Sequence, residues 1–358
     1  MSVAAFIDPA KQEAFVGQVL ANTSAAMVTT LAALGDRLGL FKTLAGSGPL
    51  TSAEFASRAG IVERYAREWL GGMASAGYIS YDADTRRFAL PPEHAAALAD
   101  EGGPVFFGGL YEMLVSASSV VDRLAEAFRS GGGVPQSAYD VRFWEGMERF
   151  SGAWYDNLLV QQWLPAMPDV ERKLRQGADV ADVGCGRGRA LLRLAQAFPA
   201  SRYLGYDAFG PSVERATTLA REAGLADILR YEVRDAASDL PGPFDVITTF
   251  DVLHDAADPI GVLRSIFRAL KPDGIYVCLD VNCGDTLEKN TGPLGSMFHG
   301  ISILYCLTTS LASGGAGLGT LGLHEHKLRE FAVVVGFREF RRVPIENPFN
   351  NLYELRRG

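Results

Sequence analysis

From Ala178 onward the chain alternates short β-rich runs with helical stretches, and no other feature restricts its fold so sharply. The β-rich runs are Val180-Ala181-Asp182-Val183, Tyr203-Leu204-Gly205-Tyr206, Leu229-Arg230-Tyr231-Glu232, Val246-Ile247-Thr248-Thr249 and Ile275 to Asp280. Arg189 to Ala197, Pro211 to Ala223 and Ile260 to Leu270 carry helical patterns between them. Neighbouring parallel strands need a long crossover, usually a helix, and such crossovers are right-handed. The alternation predicts a doubly wound, mostly parallel α/β sheet. Ligands of such sheets bind beyond the carboxyl ends of the strands, where strand order reverses. The residues that follow each β-rich run are therefore the first candidates for a site.

The first run ends in Asp182-Val183 and enters Gly184-Cys185-Gly186-Arg187-Gly188. Glycines permit a tight turn and let a ligand lie against bare backbone, and the N–H groups of the following helix favour anionic groups. A nicotinamide-binding turn competes with this reading, but its glycines are spaced Gly-x-Gly-x-x-Gly. Asp182 precedes the turn, where it can meet the ammonium of a methionine-like ligand. The second run ends in Tyr206-Asp207, where a carboxylate can accept both hydroxyls of a ribose. Asp235-Ala236 follows the third run, placed to accept from the exocyclic amine of adenine.

These motifs, in this order, resemble those of class I S-adenosylmethionine methyltransferases, whose fold is a Rossmann-like doubly wound sheet. Leu270-Lys271-Pro272-Asp273-Gly274 is similar to the turn that leads into their fifth strand. The resemblance covers residues 175 to 358. It implies S-adenosyl-L-methionine as cofactor, held by Asp182, Gly184, Cys185, Gly186, Gly188, Asp207, Ala208, Phe209, Asp235, Ala236 and Phe250.

The N-terminal part reads as helix, turn, helix and a two-stranded wing. Met27, Leu31, Leu34 and Leu38 recur at helical spacing and make one apolar face, with Gly39 placed to stop the helix. Thr51-Ser52-Ala53-Glu54 has the form of a capping box, opening a helix that ends near Gly60. A second helix, Val62 to Ala76, precedes a strand pair, Tyr78 to Tyr81 and Arg86 to Leu90, about the turn Asp82 to Thr85. Winged helices often bind DNA. Here Glu63, Arg64, Arg67 and Glu68 cancel on the would-be recognition helix, whereas a groove-reading helix offers unopposed cations. The charge pattern fits a dimerisation or lid module better.

Leu38-Gly39-Leu40-Phe41, the Thr51 helix and Gly77-Tyr78-Ile79 are similar to the dimerisation domain of small-molecule O-methyltransferases. Phe250-Asp251-Val252-Leu253-His254-Asp255 resembles their fourth-strand motif, which implies His254 as general base. In the plant enzymes a Trp commonly follows the His-Asp pair and a second acid supports the His; here Ala256-Ala257-Asp258-Pro259 follows. A closer resemblance than to the plant enzymes is to a bacterial branch that shares Phe143-Trp144, Leu253-His254-Asp255 and Pro348-Phe349-Asn350.

The remaining features set the class. A formal charge of −8 argues against a protein that lives on phosphate backbones or anionic membranes. Cys185, Cys278, Cys283 and Cys306 lie singly, without metal-ligand spacing, so free thiols and no metal site are expected. Met1 to Gln12 does not read as a signal peptide, and the apolar run Gly300 to Leu323 is broken by Thr, Ser and Gly. A cytoplasmic protein without a membrane partner is the expectation.

Residues 142 to 164 are dense in aromatics, most of them core; Trp144 and Tyr155 are candidates to line an acceptor pocket, with His299 ahead of the apolar run. His94, His324 and His326 read as solvated. The organisation expected is a winged-helix dimerisation domain over residues 1–95, a helical linker and cover over 96–170, and a cofactor domain over 171–358. The function expected is methyl transfer to oxygen of a small apolar or aromatic acceptor, in a homodimer that binds no nucleic acid. N- or C-methylation without a base is an alternative, as is a DNA-binding regulator with a ligand-sensing domain.

Overall fold

The computed structural model describes residues 7–358. The chain divides into two compact units, Met1–Ser116 with Arg142–Ala153, and Ala117–Val141 with Trp154–Gly358. The helical stretch 96–170 is thus shared between them.

In the first unit, a long helix spans Pro9–Arg37. It opens on Asp8, whose side chain accepts from the N–H groups of Ala10 and Lys11, with proline in the first turn, where a missing N–H costs nothing. Thr51 and Glu54 form the full capping box of the helix Ser52–Ala59, which ends at Gly60. The next helix is Glu63–Ser75, and β1 (Ser80–Asp82) pairs antiparallel with β2 (Arg87–Ala89) as the wing. Phe41 and Phe55 pack on Trp69, whose indole N–H donates to the carbonyl of Leu31 at 2.9 Å. The face Met27, Leu34 and Leu38 is exposed, while Ala32, Ala33 and Gly35 turn inward.

The second unit is built on seven strands: β3 (Asp179–Val183), β4 (Arg202–Asp207), β5 (Leu229–Val233), β6 (Phe244–Phe250), β7 (Leu270–Val281), β8 (Glu339–Val343) and β9 (Asn350–Arg356). Their order is β5-β4-β3-β6-β7-β9-β8. The first five are mutually parallel, and β9 alone runs antiparallel to its neighbours β7 and β8. Helices Arg189–Ala197, Gly210–Glu222 and Pro259–Ala269 are the crossovers. Pairing jumps from Phe244 with Leu270 to Val246 with Ile275, so Lys271 to Gly274 form an irregularity inside β7. The parallel strands match the sequence expectation; β8 and β9 were not expected, since both carry several polar residues and lie past the last crossover. Strand order reverses between β3 and β6, beside the glycine turn.

Among the described residues, two helices are long and apolar enough to cross a membrane, Pro9–Arg37 and Gly292–Ala312; 39% of the latter's apolar window is buried within the chain.

Candidate active site

The turn after β3 is held to β4 by its backbone. The N–H groups of Gly184 and Cys185 both donate to the carbonyl of Tyr206, at 2.8 and 3.0 Å. Gly186 has φ +52°, a conformation open to glycine, and a Cβ there would meet nothing within 4 Å, so free space lies over its backbone. Gly188 has φ +82°, and a Cβ there would collide with the Tyr231 hydroxyl at 2.5 Å. That hydroxyl donates to the carbonyl of Gly188 and fastens β5 to the turn.

Two acids stand at this turn. Asp207, the last residue of β4, accepts from the N–H of Gly186 through Oδ2 and from that of Phe209 through Oδ1, each at 2.8 Å. Burial raises its pKa while these N–H groups pull it down. Asp182 is 2% exposed and accepts from the Thr248 hydroxyl at 2.7 Å. Burial, reinforced by the Asp207 charge, pushes its carboxyl up to about 7 against the pull of Thr248. A buried carboxylate destabilised in this way gains most from a cation brought close. Each oxygen of Asp207 keeps lone-pair capacity for a hydroxyl beside its backbone donor. The turn therefore fits a ligand that carries a ribose and a positive charge.

The other residues expected at the turn divide by exposure. Cys185 is buried and its thiol pushed well up by burial. Phe209 is half-buried, Ala208 exposed and Ala236 buried. Asp235 is exposed, its carboxylate accepting from the N–H of Ala237 at 2.9 Å. Phe250 ends β6, buried against Tyr155 at 5.4 Å between ring centroids.

His254 lies in the loop after β6, 4% exposed. Its Nδ1 pairs with Oδ1 of Asp280 at 2.7 Å. Asp280 sits near the end of β7, 1% exposed, with Oδ2 buried and without a hydrogen bond among the described residues. Burial of the ring opposes its charge, but Asp280 and Cys306 outweigh that and hold the imidazole well above its ordinary 6.5. Asp251 has φ +58°, a strained position for a residue with a side chain, of the kind that clusters at functional sites. Its N–H donates to Leu279, and its carboxylate accepts from the Asn350 amide at 2.5 Å. Burial pushes both Asp251 and Asp255 up to about 7, with the Asp280 charge adding to it. Asp255 is also raised by Asp207, so the glycine turn and the histidine share one electrostatic neighbourhood.

The acid that supports His254 is thus neither Asp255 nor Asp258. Asp258 caps the helix Pro259–Ala269, accepting from the N–H of Gly261 at 2.8 Å. Asp251 and Asn350 lie within the sequence motifs but carry no role there, and neither do Asp280 and Cys306. One signal was available for Asp280: it ends a run read as a strand, and acids at the carboxyl edge of such sheets face the ligand crevice. Of the acceptor-side candidates, Tyr155 is buried against Trp163 and Phe250 in the second unit. His299 is exposed on the helix Gly292–Ile301, and Trp144 belongs to the first unit, edge-on to Phe143. His324 stands at a helix start, as its cap, accepting from the N–H of Lys327.

Comparison with known proteins matches both units. Residues 26–100 fit the Rv2258c-like winged HTH domain, and residues 181–276 fit a methyltransferase domain. The ubiquinone biosynthesis O-methyltransferase of Psychrobacter arcticus is 33% identical over 109 residues, 30% of this chain and 42% of that protein. Its namesake from Pseudomonas aeruginosa is 31% identical over 142 residues, 39% and 58% of the two chains. The chain spans about half the length of the curated relatives it matches. Among solved structures, the mitomycin 7-O-methyltransferase MmcR has a TM-score of 0.70 at 21% identity, covering 98% of this chain and 100% of that one. Human N-acetylserotonin methyltransferase in complex with SAM has a TM-score of 0.71 at 17% identity, covering 100% of both. The chain thus carries a winged helix-turn-helix domain match over residues 26–100 and a methyltransferase domain match over residues 181–276, and it has the class I methyltransferase fold.

Proposed function

We propose that the protein transfers the methyl group of S-adenosyl-L-methionine to a hydroxyl of a small apolar or aromatic acceptor, with His254 as general base. The observation that carries this reading is the buried His254–Asp280 pair, 2.7 Å apart, at the carboxyl edge of the sheet that also bears the glycine turn. The names of the relatives, O-methyltransferases, support oxygen as the acceptor atom.

The bound cofactor supplies an electrophilic methyl carbon on a sulfonium. Asp207 takes the ribose hydroxyls, Asp182 faces the ammonium group, and Asp235 with Ala236 borders the adenine. Phe250 and Tyr155 form an apolar wall that keeps water from the reacting atoms, and His299 is a candidate contact at the acceptor's outer edge. With Nδ1–H donated to Asp280, the lone pair of the neutral ring is on Nε2, which would take the proton of the acceptor's hydroxyl. Asp280 fixes this tautomer and steadies the imidazolium that results.

Calorimetric titration with S-adenosylmethionine and S-adenosylhomocysteine tests the cofactor assignment. Both should bind, and Asp207→Ala should weaken binding by about two orders of magnitude or more, since each hydrogen bond to a charged group contributes roughly 1.5–3 kcal/mol. Unchanged affinity in the variant would refute it.

We also infer a homodimer formed through the N-terminal half. Phe15, Val16, Leu20 and Met27 are exposed on the helix Pro9–Arg37, and exposed apolar patches of this kind mark interaction surfaces. A second copy suits this face better than nucleic acid, because Arg64 pairs with Glu68 and Arg67 with Glu63 on the recognition-like helix. Four free thiols suit a reducing cytoplasm. Light scattering should give twice the chain mass; a monomer would refute the dimer.

A further inference from the structure

The residues around His254 fall into two groups of potential ligand atoms, each within 4.8 Å of one another: Asp251, His254 and Asp280, and His254, Asp255 and Cys306. The groups share only the histidine. Nδ1 is committed to Asp280. The Cys306 sulfur and a carboxylate oxygen of Asp255 also lie within 4.8 Å of a ring nitrogen. Cys306 is 4% exposed and closes the π-helical turn Ser302–Cys306, between the helices Gly292–Ile301 and Leu307–Ala312. Such turns insert an extra residue and are frequent at functional sites.

The turn is fastened from outside by the segment 133–139. The N–H of Val134 donates to the Thr308 hydroxyl at 2.8 Å, and the Gln136 amide donates to the Tyr305 hydroxyl at 3.1 Å. The Tyr139 hydroxyl donates to the carbonyl of Leu304 at 2.5 Å. A Cβ on Gly133 would meet the carbonyl of Thr308 at 1.9 Å, so only glycine lets the segment seat this closely. The position of Cys306 is thus imposed on it from both sides of the chain.

We propose that Cys306 is a positioning residue for His254: its sulfur occupies Nε2, holds the ring square to Asp280, and yields that nitrogen to the acceptor's hydroxyl. This rests on His254 being the base of the reaction proposed above. The thiol keeps the ring from rotating away while no acceptor is present, and makes acceptor entry an exchange of one polar partner for another. The titratable groups that face the ring are Asp251 and Asp255 from its own loop, Asp280 from β7, Cys283 from the segment after β7, and Cys306 from the π-turn.

The test is an NMR titration of the full-length protein, ¹³C-labelled at histidine Cε1, with the His254 signal identified by its loss in His254→Gln. A thiol contact stabilises the charged ring, so Cys306→Ala should lower the titration midpoint of His254 by roughly half a unit to one unit. Cys306→Ser, which keeps a polar partner, should lower it less. Asp280→Asn should lower it most and proves that the signal senses the ring's partners. The other four histidines report whether each variant stays folded. A His254 midpoint unchanged in Cys306→Ala but moved in Asp280→Asn would overturn the proposal. The readout needs neither cofactor nor acceptor, so a failure of the methyl-transfer reading would appear separately, as absent binding of S-adenosylmethionine.

Discussion

At the glycine turn, the acid and the backbone it binds are close in the chain: Gly186 and Asp207 are 21 residues apart, joined by one crossover helix between paired strands. Around the histidine, Asp280 is 26 residues from His254, while Asn350 is 99 from Asp251 and sits on a strand of the opposite direction. The turn is made mostly of backbone, and its acids repel one another with only a hydroxyl and N–H groups for partners. At the other end a charged pair is already complete within the chain. On the function proposed above, the turn is a binding device that gains from a cationic ligand, and the histidine cluster holds its ring in place by contacts made within the chain.

Removing the base should separate the two ends most sharply. His254→Gln should leave S-adenosylmethionine affinity within a few-fold of wild type and lower turnover by about 10²–10⁴-fold, the usual contribution of a positioned base. Calorimetry and initial rates on the same preparation check both; a loss of affinity as large as the loss of rate would merge the two ends into one.

Asp280→Asn should act through pH. The folded pKa of His254 lies above 6.5, and the ring must be neutral to accept a proton, so kcat/KM of the wild type should rise with pH through a midpoint above 6.5. Without the carboxylate the midpoint should move down while the plateau falls, the smaller loss of the two. A pH profile that does not move would remove Asp280 from the mechanism.

What was legible in the sequence follows the same division. The parallel strands, their crossovers, Gly184 to Gly188 and Asp207 are written as periodicity and local turns, which a single chain displays directly. Asp280 could be placed on a strand but not opposite His254, because that pairing depends on β6 and β7 lying side by side. The site roles of Cys306 and Asn350 depend on elements with no local signature, a π-turn and an antiparallel strand inserted between β7 and β8. Met27, Leu34 and Leu38 were legible as a helical face, but not that the face would stay exposed in the single chain.

The smallest effect concerns stability. Asp182 is raised from 3.8 to about 7 on folding, so the folded state holds its proton more tightly than the unfolded chain does. Its contribution is full below pH 3.8 and is lost as pH climbs to about 7. Asp182→Asn carries no such charge, so its melting temperature should fall less than that of the wild type between pH 5.5 and 7.5, measured without cofactor. An equal fall in both would mean that Asp182 is not strained by burial, and that the turn does not favour a cation.

The most direct measurement is transfer of a ¹³C-labelled methyl group from S-adenosylmethionine into a fractionated extract of small metabolites, followed by NMR of the labelled fraction. The carbon shift of the transferred methyl reports the atom that received it. A methoxy carbon in an apolar fraction, absent with His254→Gln, is the result predicted. An N-methyl or C-methyl carbon, or transfer that persists undiminished in His254→Gln, would contradict the account.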